Sequence, residues 1–392
     1  MKIIAKTLEG LEQVLASELE SLGVQDIQIL KRAVTYSGDL TVLYKSNLLL
    51  RTCLRVLVFV KEFEIKDESD LYTEVKGMKW EDYIDLDDTF AIDSIVNSDK
   101  FRHANYIALK AKDAIADRFR DKYGKRPSVD VKNPDLKINV HIRQNIVTIS
   151  LDSSGSSLHM RGYRKNHVDA PLNEVMAAGL VLLSKWDKSS PLIDPMCGSG
   201  TILCEAAMIA SNQPPQKMTR NFAFMKWKNY DEALWKAICS KAEKEIIHIN
   251  LPSITGGDKM KSSVQAAVTN IAEAGLQDII SVEQSDFFYH DGAQNTMLIF
   301  NPPYDVRLKE TEITDFYKHI GDKLKMSFKN CTAWILSGHL DALKLLGLRP
   351  SSRIPLLNGE IPSLFCKFEM YEGSKKAKWK NIESPDTSST NV

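Results

Sequence analysis

The chain has 392 residues, with 51 Lys and Arg against 51 Asp and Glu and 43% hydrophobic residues, a length that calls for two or three domains and a composition ordinary for a globular protein. Balanced charge excludes a generally polybasic or polyacidic chain, so any affinity for nucleic acid has to come from uneven placement of charge. No apolar run approaches the roughly 20 residues that span a bilayer, MKIIAKTLEGLEQ holds no signal-peptide stretch, and the six scattered cysteines (Cys53, Cys197, Cys204, Cys239, Cys331, Cys366) form no CxxC pair, which together predict a cytoplasmic protein with free buried thiols and no metal site.

Residues 1–50 read as a small α+β unit, with strand Lys2–Ala5, a helix over Leu8–Leu22, and strands Asp26–Leu30 and Ala33–Ser37. Residues 51–155 read as a second module. It starts with the β-branched run Leu54–Ile65, a helical patch Leu71–Val75 and strand Phe90–Val96. A helix over Ala104–Tyr123 follows, with Ile107, Ala111, Ile115 and Phe119 on one face, then a short strand Val129–Val131. Strands Leu136–Arg143 and Ile146–Leu151, joined by a turn at Gln144 and Asn145, complete the module. From residue 156 to 373 the pattern is βα: helix Leu172–Trp186, strand Pro191–Asp194, helix Thr201–Ser211, helix Asp231–His248, strand Ser253–Gly256, helix Ser262–Ala274, and strands Ile279–Glu283 and Thr296–Phe300. Repeated βα units predict a mostly parallel, doubly wound α/β sheet with ligands at the carboxyl ends of its strands. Residues 374–392 are polar, with Lys375, Lys376, Lys378 and Lys380, and predict a disordered basic tail.

The segment LIDPMCGSGTILCEAAMIA joins a strand ending at Asp194 to a helix starting at Thr201 through Gly198 and Gly200. Small residues there suit a tight turn, and they also let backbone approach a ligand at a helix N-terminus. The strand ending at Asp258 carries an acid positioned to accept ribose hydroxyls, and Asp286 follows the next strand. Each acid taken alone also suits a solvated loop position or a helix cap; their order after a glycine loop is what joins them. On these residues the chain resembles the class I S-adenosylmethionine methyltransferases. The resemblance implies a Rossmann-like, seven-stranded mixed sheet ending in an antiparallel hairpin, with Trp334–Leu336 and Leu364–Tyr371 among its last strands. It also implies that Asp194, Pro195, Met196, Cys197, Gly198, Gly200 and Thr201 wrap the methionine part of S-adenosylmethionine, and that Asp258, Asp286 and Phe287 hold the adenosine.

Asn301-Pro302-Pro303-Tyr304 directly follows the apolar run MLIF. Two prolines fix their φ angles and remove two N–H donors, which aims the carbonyls near Asn301 and Pro302 at an external donor. An exocyclic amine conjugated to a base is a poor nucleophile. Accepting its N–H bonds on the Asn301 side-chain oxygen and the Pro302 carbonyl favours lone-pair character and orients the nitrogen, while Tyr304 is suited to stack on a flipped base. The alternative is a proline-rich loop that merely ends a buried strand. NPPY resembles the signature of amino methyltransferases acting on adenine, guanine, cytosine or protein glutamine, and the resemblance also brings Asn301 close to the cofactor.

Between Asp93 and Arg143 there are 12 Lys and Arg against 7 acids, a local excess suited to phosphates, although a charged helix face is often only solvated. Lys100, Arg102, Lys125 and Arg126 lie in or beside turns and are the first candidates. The stretch HMRGYRKNHVDAPLNE, with Arg161 and Arg164, resembles a segment of methyltransferases that carry an N-terminal THUMP module, an RNA-binding unit, preceded here by a ferredoxin-like α+β unit. That resemblance puts both arginines near the site, as RNA contacts or as interdomain ion pairs. IPLLNGEIPSLFCKFEMY resembles the end of the large-subunit ribosomal RNA guanine-N2 methyltransferases, with Leu357-Asn358-Gly359 in place of the usual Tyr-Asn-Gly. Some members carry a second methyltransferase domain at the C-terminus; the end of this chain implies a single modification. The expected activity is therefore methylation of a guanine N2 amine in 23S ribosomal RNA, with transfer RNA as the near alternative. A DNA adenine methyltransferase would need a domain for duplex readout, a protein-glutamine methyltransferase would not need the basic module, and a non-catalytic RNA-binding protein would not need Asp194, Asp258 and Asn301–Tyr304.

Overall fold

Strand β1 (Lys2–Lys6) turns Ile3 and Ala5 inward and its alternate residues outward, the two-residue period of a half-buried strand. It pairs antiparallel with β3 (Ala33–Ser37) on one side and with β4 (Arg55–Glu64) on the other. Helices α1 (Glu12–Ser21) and α2 (Leu40–Leu49) and strand β2 (Gln25–Leu30) complete a ferredoxin-like βαββαβ unit. Helix α2 is not among the predicted elements. Asp39 caps it, accepting from the Val42 N–H at 3.0 Å, a start signal that the β-prone run LTVLY obscures. The chain of this computed structural model is described over residues 1–165, 171–303 and 310–371.

The expected break between residues 50 and 51 is bridged by β4, whose first half pairs with β1 and whose second half pairs with β8 (Ile146–Asp152). Before β8 come α3 (Glu68–Gly77), β5 (Thr89–Asn97), α4 (Ala104–Tyr123), β6 (Ser128–Val129) and β7 (Leu136–Arg143). All these strands form one eight-stranded sheet in the order β2-β3-β1-β4-β8-β7-β5-β6. Helix α4 buries Ile107, Ala111, Ala114, Ile115 and Phe119, the i, i+4, i+7, i+8 stripe of an amphipathic helix, against a core that includes Leu71, Trp80 and Ile138.

The chain then enters a second unit. Helix α5 (Glu174–Leu183), strand β9 (Leu192–Asp194) and helix α6 (Thr201–Ala210) open it. From Gln213 to Ile246 the chain belongs by its contacts to the first unit, Met1–Gly162, although the sequence places that stretch inside an unbroken 156–373 domain. The reason is apolar burial. Phe222, Phe224 and, from α7 (Glu232–Lys244), Trp235 and Ile238 fill the core beneath the ferredoxin-like strands, with Tyr44 stacked on Phe224 at 4.4 Å. Trp235→Ala is therefore expected to cost about 3–5 kcal/mol. Chemical denaturation, with the midpoint followed against wild type, checks this, and an unchanged midpoint would contradict the packing assignment.

In the second unit β10 (Ile254–Asp258), α8 (Lys261–Glu273), β11 (Ile280–Gln284), β12 (Met297–Phe300), α9 (Glu310–Ser327), β13 (Thr332–Ser337), α10 (Leu340–Lys344), β14 (Ser352–Asn358) and β15 (Ile361–Glu369) follow. The seven strands run in the order β11-β10-β9-β12-β13-β15-β14. The first five are parallel, and β15 is antiparallel to both β13 and β14. This is the expected mixed sheet with its terminal hairpin. Chain direction across the sheet reverses between β9 and β12, the switch point where a doubly wound sheet opens a crevice at its carboxyl edge. Among the described residues no helix is long and apolar enough to cross a membrane.

Candidate active site

A cavity of about 880 Å³ opens at that switch point, within the size range of small-molecule sites. Asp194, Met196, Cys197, Gly198 and Thr201 line it from the β9–α6 loop, Asp258 from the end of β10, and Asn301 and Pro303 from the end of β12. Three strands far apart in sequence thus bring together eight of the expected residues. The loop's backbone N–H groups tie it to the end of β10, whose Asp258 also holds the residues that follow it. Cys197 N–H donates to Gly257 O at 2.9 Å, Gly198 N–H donates to Asp258 Oδ2 at 2.9 Å, and Met260 N–H donates to Asp258 Oδ1 at 2.8 Å. Gly200 caps α6 at φ +78° and an added Cβ there would lie 3.2 Å from Ala267 Cβ, so this position requires a residue that accepts left-handed backbone and close helix contact.

Asp194 is 1% exposed. Burial, with the Asp258 carboxylate adding to it, pushes its pKa up to about 8 despite the Met196 N–H that donates to it. Burial thus disfavours the ionised form of this acid, and a cation bound beside it would restore that form. Burial also pushes the Cys197 thiol up, so it stays protonated and is no nucleophile. Asn301 Oδ1 is buried and has no hydrogen-bond donor among the described residues. A buried amide oxygen left without a partner costs about 1–3 kcal/mol, which marks a group whose partner is external.

Other expected residues do not stand on the cavity wall. Asp286 does not line the cavity; it caps the short helical turn Phe287–Tyr289 by accepting from Phe288 N–H at 3.0 Å and pairs with Lys259 at 3.6 Å. Phe287 is buried in the core, stacked on Phe328 at 5.7 Å. Pro195, Gly200 and Pro302 stand beside the cavity residues without forming its wall. Tyr304 lies outside the described residues, as does the tail from 372 onward. The wall residues that the sequence reading does not name are Lys165, Pro171, Leu172, Ser199, Ile202, Met260, Ser262, Ser263, Gln265 and Ala266. Ser262 and Ser263 had a usable signal, because they start the helix after β10 just as the glycine loop starts the helix after β9.

The two arginines of RGYR part company. Arg161, in the first unit, is 3% exposed and donates to the Leu158 carbonyl at 2.7 Å and to the Arg51 carbonyl, so its fork is spent on backbone and presents no face to a phosphate. Arg164, in the second unit, donates to Leu172 O at 2.7 Å and to Thr201 Oγ1 at 3.0 Å. Of the twelve cations between Asp93 and Arg143, Lys112, Arg118, Arg120, Lys122 and Lys137 form ion pairs with acids. Lys100, Arg102, Lys125 and Arg126 have no acidic partner among the described residues and are exposed. Lys100 and Arg102 precede α4, Lys125 and Arg126 follow it, and its 20 residues separate the two pairs by about 30 Å. No group of three or more metal-ligating side chains occurs among the described residues.

A seven-stranded sheet in this order, with a glycine loop after its first strand and Asn-Pro-Pro after its fourth, is the class I methyltransferase architecture. The RMKL-like methyltransferase domain matches residues 161–367, the THUMP domain 66–152 and the RlmL ferredoxin-like domain 2–57; the chain belongs to the RMKL-like methyltransferase family. It is similar to slr0064 of Synechocystis, named as a candidate RNA methyltransferase, at 37% identity over 94% of this chain and 96% of that one. It is similar to the ribosomal RNA large subunit methyltransferase K/L of Aliivibrio salmonicida at 35% identity over 97% of this chain, of which it spans 55%. Among solved structures it is similar to SMU.472, described as a candidate methyltransferase complexed with SAH, with a TM-score of 0.87 and 30% identity over 95% of this chain and 99% of that one.

Proposed function

We propose that this chain methylates the exocyclic N2 amine of a guanine in 23S ribosomal RNA, with S-adenosylmethionine as methyl donor. The observation that carries the reading is the buried Oδ1 of Asn301, without a hydrogen-bond donor among the described residues, on the wall of a cavity that also holds Asp194 and Asp258. S-adenosylmethionine, when bound, supplies a sulfonium methyl group as electrophile. Asp194 is suited to its ammonium, and Asp258 to ribose hydroxyls, although its carboxylate already accepts two backbone N–H bonds. Asn301 Oδ1 accepts one N–H of the guanine amine, which draws the nitrogen lone pair out of conjugation and points it at the methyl group. The amine proton then leaves to water after transfer, so no strong general base is required. The ribosomal RNA substrate is supported by the THUMP match, by the name of the Aliivibrio relative and by the exposed cations at the two ends of α4, which have no acidic partner among the described residues.

Incubating the full chain with S-adenosylmethionine and large-subunit RNA from a strain lacking the gene tests the reading. N2-methylguanosine in the digested RNA supports it, and its absence alongside methylation of transfer RNA would replace it. The RNA face has its own test. Replacing Lys125 and Arg126 by Ala, and separately Lys100 and Arg102, is expected to reduce the slope of log affinity against log salt by about 1–2 per pair, with S-adenosylhomocysteine affinity unchanged. If only one pair alters the slope, the RNA path runs over that end of α4 alone.

A further inference from the structure

Arg164 and Asn270 each hydrogen-bond two residues that line the cavity. Arg164 donates through Nη2 to the carbonyl of Leu172 at 2.7 Å and to Thr201 Oγ1 at 3.0 Å, and it pairs with Glu174 at 3.5 Å. Its side chain is 14% exposed. One guanidinium therefore ties the approach to α5 to the first residue of α6, directly after the glycine loop. Asn270, on α8 and wholly buried, completes the arrangement. Its Oδ1 accepts from the backbone N–H of Lys165 at 3.1 Å, and its Nδ2 donates to the carbonyl of Ser199 at 3.1 Å. Lys165, Leu172, Ser199 and Thr201, the four residues these bonds hold, all line the cavity.

We propose that Arg164 and Asn270 are positioning residues for the cofactor: they fix one wall of the cavity, formed by Lys165 and Leu172, to the glycine loop, and Arg164 is not an RNA contact. Two features favour this over an incidental structural role. Both side chains bridge wall to loop and neither bridges loop to loop, so losing either alters the width of the cavity before it alters the core. The planar guanidinium serves two acceptors in different directions while facing a carboxylate, which a lysine ammonium on a flexible stem does not reproduce. Buried bonds from a charged donor are also the strong kind.

The inference rests on the cofactor assignment above, and the experiment separates the two. Binding of S-adenosylhomocysteine to the full chain is measured by calorimetry for wild type, Arg164→Lys, Thr201→Val and Asn270→Ser, together with affinity for large-subunit RNA and the melting temperature without ligand. Arg164→Lys is expected to weaken S-adenosylhomocysteine by about tenfold, with RNA affinity and melting temperature close to wild type and turnover at saturating cofactor retained. Thr201→Val removes one acceptor at constant shape and is expected to weaken the same ligand by about threefold. Undiminished S-adenosylhomocysteine binding with weakened RNA binding in Arg164→Lys would overturn the inference and make Arg164 a phosphate contact. Should Arg164→Lys lose stability as a whole, Asn270→Ser, at a residue that does not line the cavity, decides: weaker ligand binding with wild-type RNA affinity upholds the inference and wild-type ligand binding overturns it. A wild-type chain that binds no S-adenosylhomocysteine would fail the cofactor assignment itself and this inference with it.

Discussion

Asn301→Ala is expected to lower methyl transfer by about 10²–10³-fold, the usual loss when one hydrogen-bonding group that acts in the transition state is removed. Affinity for S-adenosylhomocysteine and for RNA is expected to stay near wild type. The reason is the state of the side chain in the free protein: Oδ1 is buried and without a donor among the described residues. Among the described residues nothing donates to that oxygen, and an incoming N–H would satisfy it. Truncation removes an unsatisfied group, so the fold is expected to hold or gain slightly in melting temperature. Single-turnover kinetics at saturating cofactor check the first part and thermal melting the second. Turnover equal to wild type would remove Asn301 from the reaction.

Asp194 carries the second large effect. Its pKa stands at about 8 against an ordinary 3.8 because it is buried and because the Asp258 carboxylate is near. In the window between those values the folded chain holds a proton that the unfolded chain has released. Stability from this group is complete below pH 3.8 and is lost as the pH rises toward about 8, by at most about 1.4 kcal/mol per pH unit. Asp194→Asn is expected to flatten that part of the pH–stability curve. Near neutral pH the free protein keeps Asp194 largely protonated, and a bound ammonium would hold it ionised. Binding of S-adenosylhomocysteine is thus expected to release a proton and to tighten as pH climbs toward 8, visible as a dependence of calorimetric heat on buffer ionisation enthalpy. Asp194→Asn should abolish the proton release and weaken binding by about tenfold or more. Proton release that persists in the variant would assign the linkage to another group.

What made the site legible in the sequence was proximity along the chain. Asp194 to Thr201 and Asn301 to Pro303 are continuous runs whose residue types are constrained by backbone approach, by a missing N–H or by a helix start, and the structure brings both runs to one cavity. What was not legible depended on tertiary partners. Nothing local in SDFFYH distinguishes an acid that holds a ligand from one that caps a turn, and Asp286 caps a turn. Arg161 and Arg164 stand three residues apart in one basic motif, yet one is spent on backbone carbonyls and the other on the glycine loop. In the fold, strands and helices with a clean period were readable, as with Ala104–Tyr123. Helix α9 carries the helical spacing Ile313, Tyr317, Ile320, Leu324, all buried, and is absent from the predicted elements although its period was there to find. The return of Gln213–Ile246 to the first unit was not readable, because the aromatic residues Phe222, Phe224 and Trp235 look equally suited to any core.

The central claim is methyl transfer to a guanine N2 amine in large-subunit RNA, and mass spectrometry of nucleosides tests it most directly. Ribosomal and transfer RNA are digested separately from cells with the gene, without it, and without it but expressing Asn301→Ala. Loss of N2-methylguanosine from large-subunit RNA in the second and third strains is the predicted result; an unchanged level there, or a loss confined to transfer RNA, would contradict the account.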